Sequence, residues 1–167
     1  MTDARDLTGL AATVAALLEA RRETVAVAES SAGGLISAAL LAVPGASVYF
    51  LGGGVIYTLA ARRALLGVSE ADMAGMRAST EAYARLEARR IRDALGATWG
   101  LGETGATGPA GNRYGDAPGH ACFAVAGPVE RAVTLETAQA DRVANMWAFT
   151  REALRLLESC VRAAPAG

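Results

Sequence analysis

The residues of this sequence that could carry chemistry begin with Glu29-Ser30-Ser31-Ala32-Gly33-Gly34, which follows a run of β-forming residues. A serine between a strand and a helix is exposed and close to backbone N–H groups, which suits a nucleophile. The same hydroxyl can cap the helix, and N–H groups freed by small residues can bind an anion. The segment therefore predicts a nucleophile, an anion site or a plain helix cap.

Three further segments carry candidate residues. Tyr57 and Arg62 lie across a strand end and the first turn of the next helix, where a rim tyrosine and a solvated arginine are the ordinary outcome. The segment from Thr104 to Asn112 is rich in glycines and hydroxyls, which let backbone approach a phosphate or an acyl group. Asp141-Arg142 opens the last helix, where the helix dipole favours an acid.

The segment from Gly100 to Gly105 satisfies the pattern G-x-G-x-x-G. In a dinucleotide site this pattern opens a helix whose amino terminus receives the pyrophosphate. The residues that follow here, from Ala106 to Asn112, cannot continue as a helix because Gly108-Pro109 interrupts them. The pattern therefore does not predict a nicotinamide or flavin dinucleotide cofactor.

Composition excludes several classes of chemistry. All 16 basic residues are Arg, and no Lys is present, which excludes a P-loop, a Schiff base and a Ser–Lys dyad. The single His120 and the distant Cys122 and Cys160 exclude a zinc finger and a three-histidine zinc site, and both cysteines are expected as buried free thiols. The near balance of 16 basic and 17 acidic residues argues against a nucleic-acid partner.

The stretch from Ser30 to Ala61 has no charged residue and is long enough by count to span a bilayer. Pro44-Gly45 and Gly52-Gly53-Gly54 interrupt it, so we expect a buried helix and a buried strand, and no membrane partner. The first residues, from Met1 to Asp6, lack the pattern of a signal peptide. We therefore expect a cytoplasmic location.

Hydrophobic periodicity places the elements around these segments. Helices are expected at Asp6–Arg21, Leu35–Val43, Leu59–Leu66, after Ser69, from Thr80 to Leu95 and at Asp141–Ala163. Strands are expected at Thr24–Ala28, Val48–Tyr57, Thr98–Thr104, His120–Ala126 and Ala132–Thr137. Helices alternating with strands before a hairpin predict an α/β fold, a three-layer α/β/α sandwich with a mixed sheet, in one domain over residues 1–167.

Helix ends and one long loop add detail to this outline. Thr58 is expected to cap a helix that Gly67 ends, and Ser69 with Asp72 forms a weak capping box. The loop over residues 105–119 is longer than a plain connection requires, which indicates a functional role.

Taken in order, these segments resemble the CinA C-terminal domain family, whose active members are nicotinamide-nucleotide amidases. The family's E-S-C-T-G-G is matched by Glu29 to Gly34, and its G-x-V-x-Y strand by Gly54 to Tyr57. Its S-G-I-A-G-P-x-G-G loop is matched by Thr104 to Asn112, and its G-D-R by Ala140 to Arg142. The resemblance covers nearly the whole chain and implies the three-layer α/β/α fold, in a homo-oligomer.

The resemblance implies hydrolysis of the carboxamide of nicotinamide mononucleotide to nicotinate mononucleotide and ammonia, a step of NAD recycling that needs no cofactor and no metal. In the family a serine acts as the nucleophile, helped by a lysine and a tyrosine. These positions fall on Ser30, Arg62 and Tyr57. A guanidinium with a pKa above about 12 cannot accept a proton near neutral pH, so the replacement of the lysine removes a general base.

Three hypotheses follow. In the first, the protein is an amidase with Tyr57 as the base; an ordinary tyrosine titrates near pH ~10, and Arg62 or Arg63 would favour its ionised form. In the second, a non-catalytic relative binds a phosphorylated nucleotide, for which arginine is well suited. In the third, Ser30 attacks another small amide or ester. The substrate-binding candidates are Ser31, Gly33, Gly34, Thr104, Gly105, Ala106, Gly108 and Arg142.

Overall fold

A computed structural model describes residues 4–165. Its elements follow the chain in this order: α1 (Ala4–Arg21), β1 (Val25–Glu29), α2 (Leu35–Leu41), a 3₁₀ turn (Ala46–Val48), β2 (Phe50–Val55), α3 (Leu59–Leu66), α4 (Glu70–Met73), α5 (Glu81–Leu95), β3 (Trp99–Ala106), β4 (His120–Ala126), β5 (Arg131–Glu136) and α6 (Arg142–Ala163). Each element expected from the sequence is present, with ends that shift by a few residues.

Two of the shifted boundaries lie on either side of the Pro44-Gly45 break. Helix α2 ends at Leu41 instead of Val43, because a residue that precedes a proline is driven out of the helical region. The strand expected from Val48 begins only at Phe50, since the left-handed Gly45 opens a 3₁₀ turn ahead of it, and it ends at Val55 instead of Tyr57. Tyr49 is fully buried there and donates from its hydroxyl to the carbonyl of Leu40 at 2.5 Å.

The five strands form one mixed sheet in the order β2-β1-β3-β4-β5. Strand β1 is parallel to β2 and β3, whereas β4 is antiparallel to both β3 and β5. Helices α1, α2 and α6 cover one face of the sheet, and Phe149 of α6 packs in the core there with Trp99 and Phe123 of the strands. Helix α5 packs on the other face, and α3 packs against α5. The three-layer α/β/α prediction is confirmed.

The expected helix caps are also confirmed. Thr58 accepts from the N–H of Ala61 at 3.1 Å, and Gly67 ends α3 in the left-handed conformation. Ser69 and Asp72 form the full capping box of α4. These local devices fix where α3 and α4 begin, and so they place the residues between β2 and α5.

The G-x-G-x-x-G pattern has a packing explanation. A Cβ built on Gly100 would overlap the carbonyl group of Ala88, and one on Gly102 would overlap that of Ala84. Both carbonyls belong to α5, whose backbone therefore approaches β3 closely. The glycines serve the contact between helix and sheet.

Within residues 4–165, no helix combines the length and the apolar character that crossing a lipid bilayer requires.

Candidate functional site

A cavity of about 450 Å³ opens at the carboxyl ends of the parallel strands. Strand β1 has β2 on one side and β3 on the other, so the chain reverses its direction of winding at β1. Ligands of open α/β sheets bind at such a switch point. Of the candidate residues, this cavity is lined by Ser30, Tyr57, Arg62, Thr104 and Gly105.

Ser30 lies on a turn that a buried carboxylate holds from below. Glu103 accepts from the backbone N–H groups of Ser30 and Ala32, each at 2.9 Å, and from the hydroxyl of Ser31. Burial raises the pKa of Glu103 to about 7, although the three donors of the turn act in the opposite direction. The side chain of Ser31, a substrate-binding candidate, therefore points at Glu103.

A second carboxylate occupies the start of α2. Glu29 accepts from the N–H groups of Gly34, Ile36 and Ser37 at 2.9–3.0 Å and from the hydroxyl of Ser37 at 2.7 Å. A carboxylate is favoured at a helix amino terminus, where N–H groups lack partners. Neither serine of the motif caps the helix, and of the two glycine amides that an external anion could have bound, that of Gly34 already donates to Glu29.

Gly33 and Gly34 shape the turn between these two carboxylates. Both have a left-handed backbone, with φ of 68° and 98°. A Cβ on Gly33 would lie 2.6 Å from Cε of Met146 on α6. The N–H of Gly33 donates to the carbonyl of Ser30 at 3.1 Å. The two glycines therefore allow the sharp turn under α6.

Tyr57 follows β2 at the rim of the cavity, and its side chain is 63% exposed. Its hydroxyl lies 3.3 Å from an Nη atom of Arg142, in the first turn of α6. The same guanidinium donates to the carbonyl of Gly108 at 2.7 Å. Arg142 thus joins Tyr57 to the loop after β3. The first hypothesis expected Arg62 or Arg63 beside the Tyr57 hydroxyl. The arginine found there is Arg142, whereas Arg62 and Arg63 both donate to Glu70.

Arg62 is not the solvated arginine that the isolated sequence position suggested. Its side chain is only 6% exposed, and one Nη atom lies 3.0 Å from Glu70. Its Nε–H is buried and has no hydrogen-bond partner among the described residues. The buried guanidinium also forms part of the cavity wall, where Tyr83 and Glu87 are its neighbours.

Behind Arg62 lie two residues that the sequence analysis missed, Tyr83 and Glu87 on α5. Tyr83 lines the cavity, and burial, followed by the nearby Glu87, raises its pKa. Glu87 is fully buried, and burial together with Glu103 raises its pKa well above the usual value. Tyr83 and Arg62 are its polar neighbours, yet neither carboxyl oxygen has a hydrogen bond among the described residues.

A sequence signal for these buried acids existed. Glu87 stands on the apolar face of α5, four residues after Tyr83, and Glu103 interrupts a strand of apolar and glycine residues. An acidic residue on a face that must be buried generally has a specific role, because burying a charge costs free energy. The periodicity that placed the helix therefore also marked the acid.

The long loop after β3 closes the other side of the cavity. Thr104 accepts from the N–H of Ser79 at 3.1 Å, and Ala106, in the last pair of β3 and β4, accepts from the N–H of Gly119. Asp116 binds Arg77 through both carboxylate oxygens. The ring of Tyr114 lies 5.2 Å and 5.0 Å from the guanidinium carbons of Arg77 and Arg113. These contacts give the loop a fixed shape.

Cys122 and Cys160 are buried free thiols, as the sequence analysis predicted. Among the described residues, no group of three or more His, Cys, Asp and Glu side chains could hold a metal ion. The cavity wall offers the hydroxyl groups of serines and threonines, three tyrosines and two guanidinium groups, and buried carboxyl groups lie behind it.

The chain is similar in sequence to one known protein family and to longer proteins that bear its name. A profile of the CinA C-terminal domain matches residues 7–161. A CinA-like protein of Gloeobacter violaceus is 42% identical over 150 residues, which are 89% of this chain and 35% of that protein. A CinA-like protein of an Anaeromyxobacter species is 42% identical over 158 residues, or 92% and 37% of the two chains. The chain thus spans about a third of the length of these relatives.

Solved structures with a similar fold include two proteins described as competence-damage proteins. The CinA superfamily protein of Klebsiella pneumoniae superposes with a TM-score of 0.87 at 26% identity, covering 93% of this chain and 98% of that one. The competence/damage-inducible protein of Agrobacterium tumefaciens gives a TM-score of 0.84 at 26% identity, covering 93% and 95%. Both likenesses extend over almost all of each chain.

Proposed function

The chain belongs to the CinA C-terminal domain family, and from that premise we propose that it hydrolyses the carboxamide of nicotinamide mononucleotide to nicotinate mononucleotide and ammonia. The observation that carries the proposal is the meeting of Ser30, Tyr57 and Arg62 at one cavity. By the resemblance, these residues correspond to the family's serine, tyrosine and lysine. Ser30 lies between β1 and α2, Tyr57 lies between β2 and α3, and Arg62 lies within α3.

In the proposed reaction, the Ser30 oxygen attacks the carboxamide carbon and its proton passes to a base. The C–N bond then breaks, and ammonia leaves with one added proton. Water cleaves the resulting ester and restores the Ser30 hydroxyl. Tyr57 is our candidate base, because Arg142 holds its hydroxyl at the rim of the same cavity.

The nucleotide's phosphate needs cationic donors, and the amides of the Gly33-Gly34 turn already donate within the protein. Arg62 and Arg113 line the cavity, and Arg142 reaches Tyr57 at its rim. Guanidinium groups bind phosphate through paired N–H donors. We therefore assign phosphate recognition to these arginines.

A second candidate function is nucleotide binding without hydrolysis. It is favoured by Arg62, whose buried guanidinium binds Glu70 where the family has a lysine. A guanidinium stays protonated and cannot serve as a base. In this alternative the same cavity binds the nucleotide, and Ser30 does not react.

Ammonia release from nicotinamide mononucleotide distinguishes the two functions. The wild type is compared with Ser30→Ala and with Ser47→Ala, a matched change at an exposed serine. The amidase predicts release that Ser30→Ala abolishes and Ser47→Ala preserves. Release from none of the three, together with a higher melting temperature in the presence of the nucleotide, supports binding alone. If none of the three proteins releases ammonia and the nucleotide does not raise the melting temperature, both functions are contradicted.

A further inference from the structure

Glu103 is a buried carboxylate for which the proposed reaction has no direct role. Both of its oxygens are used by one turn: Oε2 accepts from the N–H groups of Ser30 and Ala32, and Oε1 accepts from the Ser31 hydroxyl. These donors belong to the three consecutive residues that begin with the candidate nucleophile. The position of Ser30 is therefore set by a side chain 73 residues further along the chain.

The surroundings of Glu103 allow its carboxyl group to gain or lose a proton as the pH changes. Every donor described on this carboxylate is neutral, and the carboxyl groups that face it are Glu29 at the end of β1 and Glu87 on α5. Burial raises the pKa of Glu103 to about 7, so the group changes its charge within the physiological range. Hydrogen bonds to an ionised acceptor are stronger than those to a neutral one. The turn is therefore held most firmly when Glu103 is ionised.

We propose that Glu103 is a positioning residue for Ser30: its ionised carboxylate fixes the peptide groups on both sides of the serine and thereby holds the nucleophile in a reactive orientation. The inference rests on the proposed function, in which Ser30 is the nucleophile. It adds that a loss of the negative charge at Glu103 lowers the reactivity of Ser30 without any change at the cavity wall.

The first test uses a fluorophosphonate probe, which needs no knowledge of the substrate. The Ser30 oxygen forms a bond to phosphorus, the P–F bond breaks, fluoride leaves, and the serine proton passes to solvent. The labelling rate is measured from pH 5 to pH 9 for the wild type and Glu103→Gln, with Ser30→Ala as the blank. We expect the wild-type rate to rise through about pH 7. Glu103→Gln should be slower by about tenfold at pH 8 and should lack this rise.

Rescue by a conservative variant separates charge from shape. Glu103→Gln keeps the size and one acceptor oxygen but removes the charge, whereas Glu103→Asp keeps the charge on a shorter side chain. We expect Glu103→Asp to recover a pH-dependent labelling rate, and Glu103→Gln not to recover it. A structural role alone predicts that both variants lose reactivity without a change in the pH profile.

A second measurement works on the wild type itself and does not depend on how a variant folds. In ¹⁵N–¹H spectra, the amide signals of Ser30 and Ala32 should titrate together near pH 7, because their N–H groups donate to Glu103. Glu87→Gln, which removes a neighbouring buried carboxyl group that does not bind these amides, should leave that titration in place. Amide signals that stay constant from pH 5 to pH 9 overturn the inference.

The outcomes separate this inference from the proposed function. Labelling of Ser30 that depends on Glu103, without ammonia release, rejects the amidase and supports the positioning role. Ammonia release that needs Ser30 and is equal in Glu103→Gln supports the amidase and overturns the positioning role. A wild-type Ser30 that no probe labels at any pH also overturns it, because no reactive orientation is then being held.

Discussion

Arg142 and Tyr57 are 85 residues apart in the chain, yet an Nη atom of Arg142 lies 3.3 Å from the Tyr57 hydroxyl. The same guanidinium reaches the carbonyl of Gly108 at 2.7 Å. One side chain from α6 thus fixes both the rim tyrosine and the loop after β3. The cavity owes part of its shape to this single cation.

Arg142→Ala should weaken the binding of nicotinamide mononucleotide by about tenfold, because two charge-assisted contacts are lost and Tyr57 is released. Titration calorimetry measures the change. Arg162→Ala is the matched control, since Arg162 lies at the other end of α6 in an exposed pair with Glu158. Equal affinities of the two variants would show that Arg142 has no part in the site.

Arg62→Lys should increase ammonia release by about tenfold or more, because it adds a second group that can act as a base beside Tyr57. A lysine at this buried position has its pKa lowered by desolvation and can accept a proton, which a guanidinium cannot do. The rate is measured between pH 7 and pH 9, where the gain should grow with pH as the amine loses its proton.

The control for this change is Arg63→Lys. Arg63 shares the partner Glu70, but its side chain is 59% exposed, whereas that of Arg62 is 6% exposed. We expect Arg63→Lys to leave the rate as it is in the wild type. A rate that both variants raise equally would mean that the effect comes from Glu70 and not from a new base.

The sequence predicted those parts of the fold that depend on neighbouring residues. Thr58 and Gly67 mark the two ends of α3 because caps act over three or four residues, and the hairpin of β4 and β5 follows from two β-forming runs around Gly127-Pro128. Ser30, Tyr57 and Arg62 were predicted to meet only through the resemblance to a family, since their spacing alone does not bring them together.

The remaining contacts of the site depend on the order of the strands in the sheet, which the spacing of residues along the chain does not encode. Glu103 meets the Ser30 turn because β3 pairs with β1, and Glu29 caps α2 because the two glycines turn the chain back over it. The sequence analysis left a nucleophile, an anion site and a serine cap open for this segment, and did not consider that two carboxylates of the chain itself could bind its amides. The acidic residues on apolar faces, Glu87 and Glu103, were the sequence feature that could have indicated these buried carboxyl groups.

Glu87→Gln should stabilise the protein increasingly as the pH rises. The folded-state pKa of Glu87 lies well above its usual value, so its contribution to the free energy of unfolding is complete below about pH 4.5 and is lost as the pH rises toward that folded-state pKa. Glutamine does not titrate and avoids this loss. Urea unfolding at pH 5 and pH 8 should show a larger gain for the variant at pH 8.

For Glu130→Gln we expect the change in stability to depend on pH in the opposite direction. The hydrogen bond from Arg89 lowers the pKa of Glu130, so this carboxyl stabilises the folded state above its unfolded pKa and loses that effect as the pH falls. Its replacement should therefore cost stability at pH 8, and the cost should decrease as the pH falls below about 4.5. If the stability of both variants changed with pH in the same direction, the raised pKa of Glu87 would be contradicted.

Gly100→Ala should destabilise the protein by about 3 kcal/mol, because the new methyl group would overlap the backbone carbonyl of Ala88, and a helix backbone cannot move as a flexible side chain can. Gly9→Ala is the matched change: Gly9 lies in α1, a Cβ there meets no atom within 4 Å, and alanine favours the helix by up to about 1 kcal/mol. Urea unfolding of both variants measures the difference. A tolerated Gly100→Ala would show that α5 can withdraw from β3, and the packing explanation of the G-x-G-x-x-G segment would then fail.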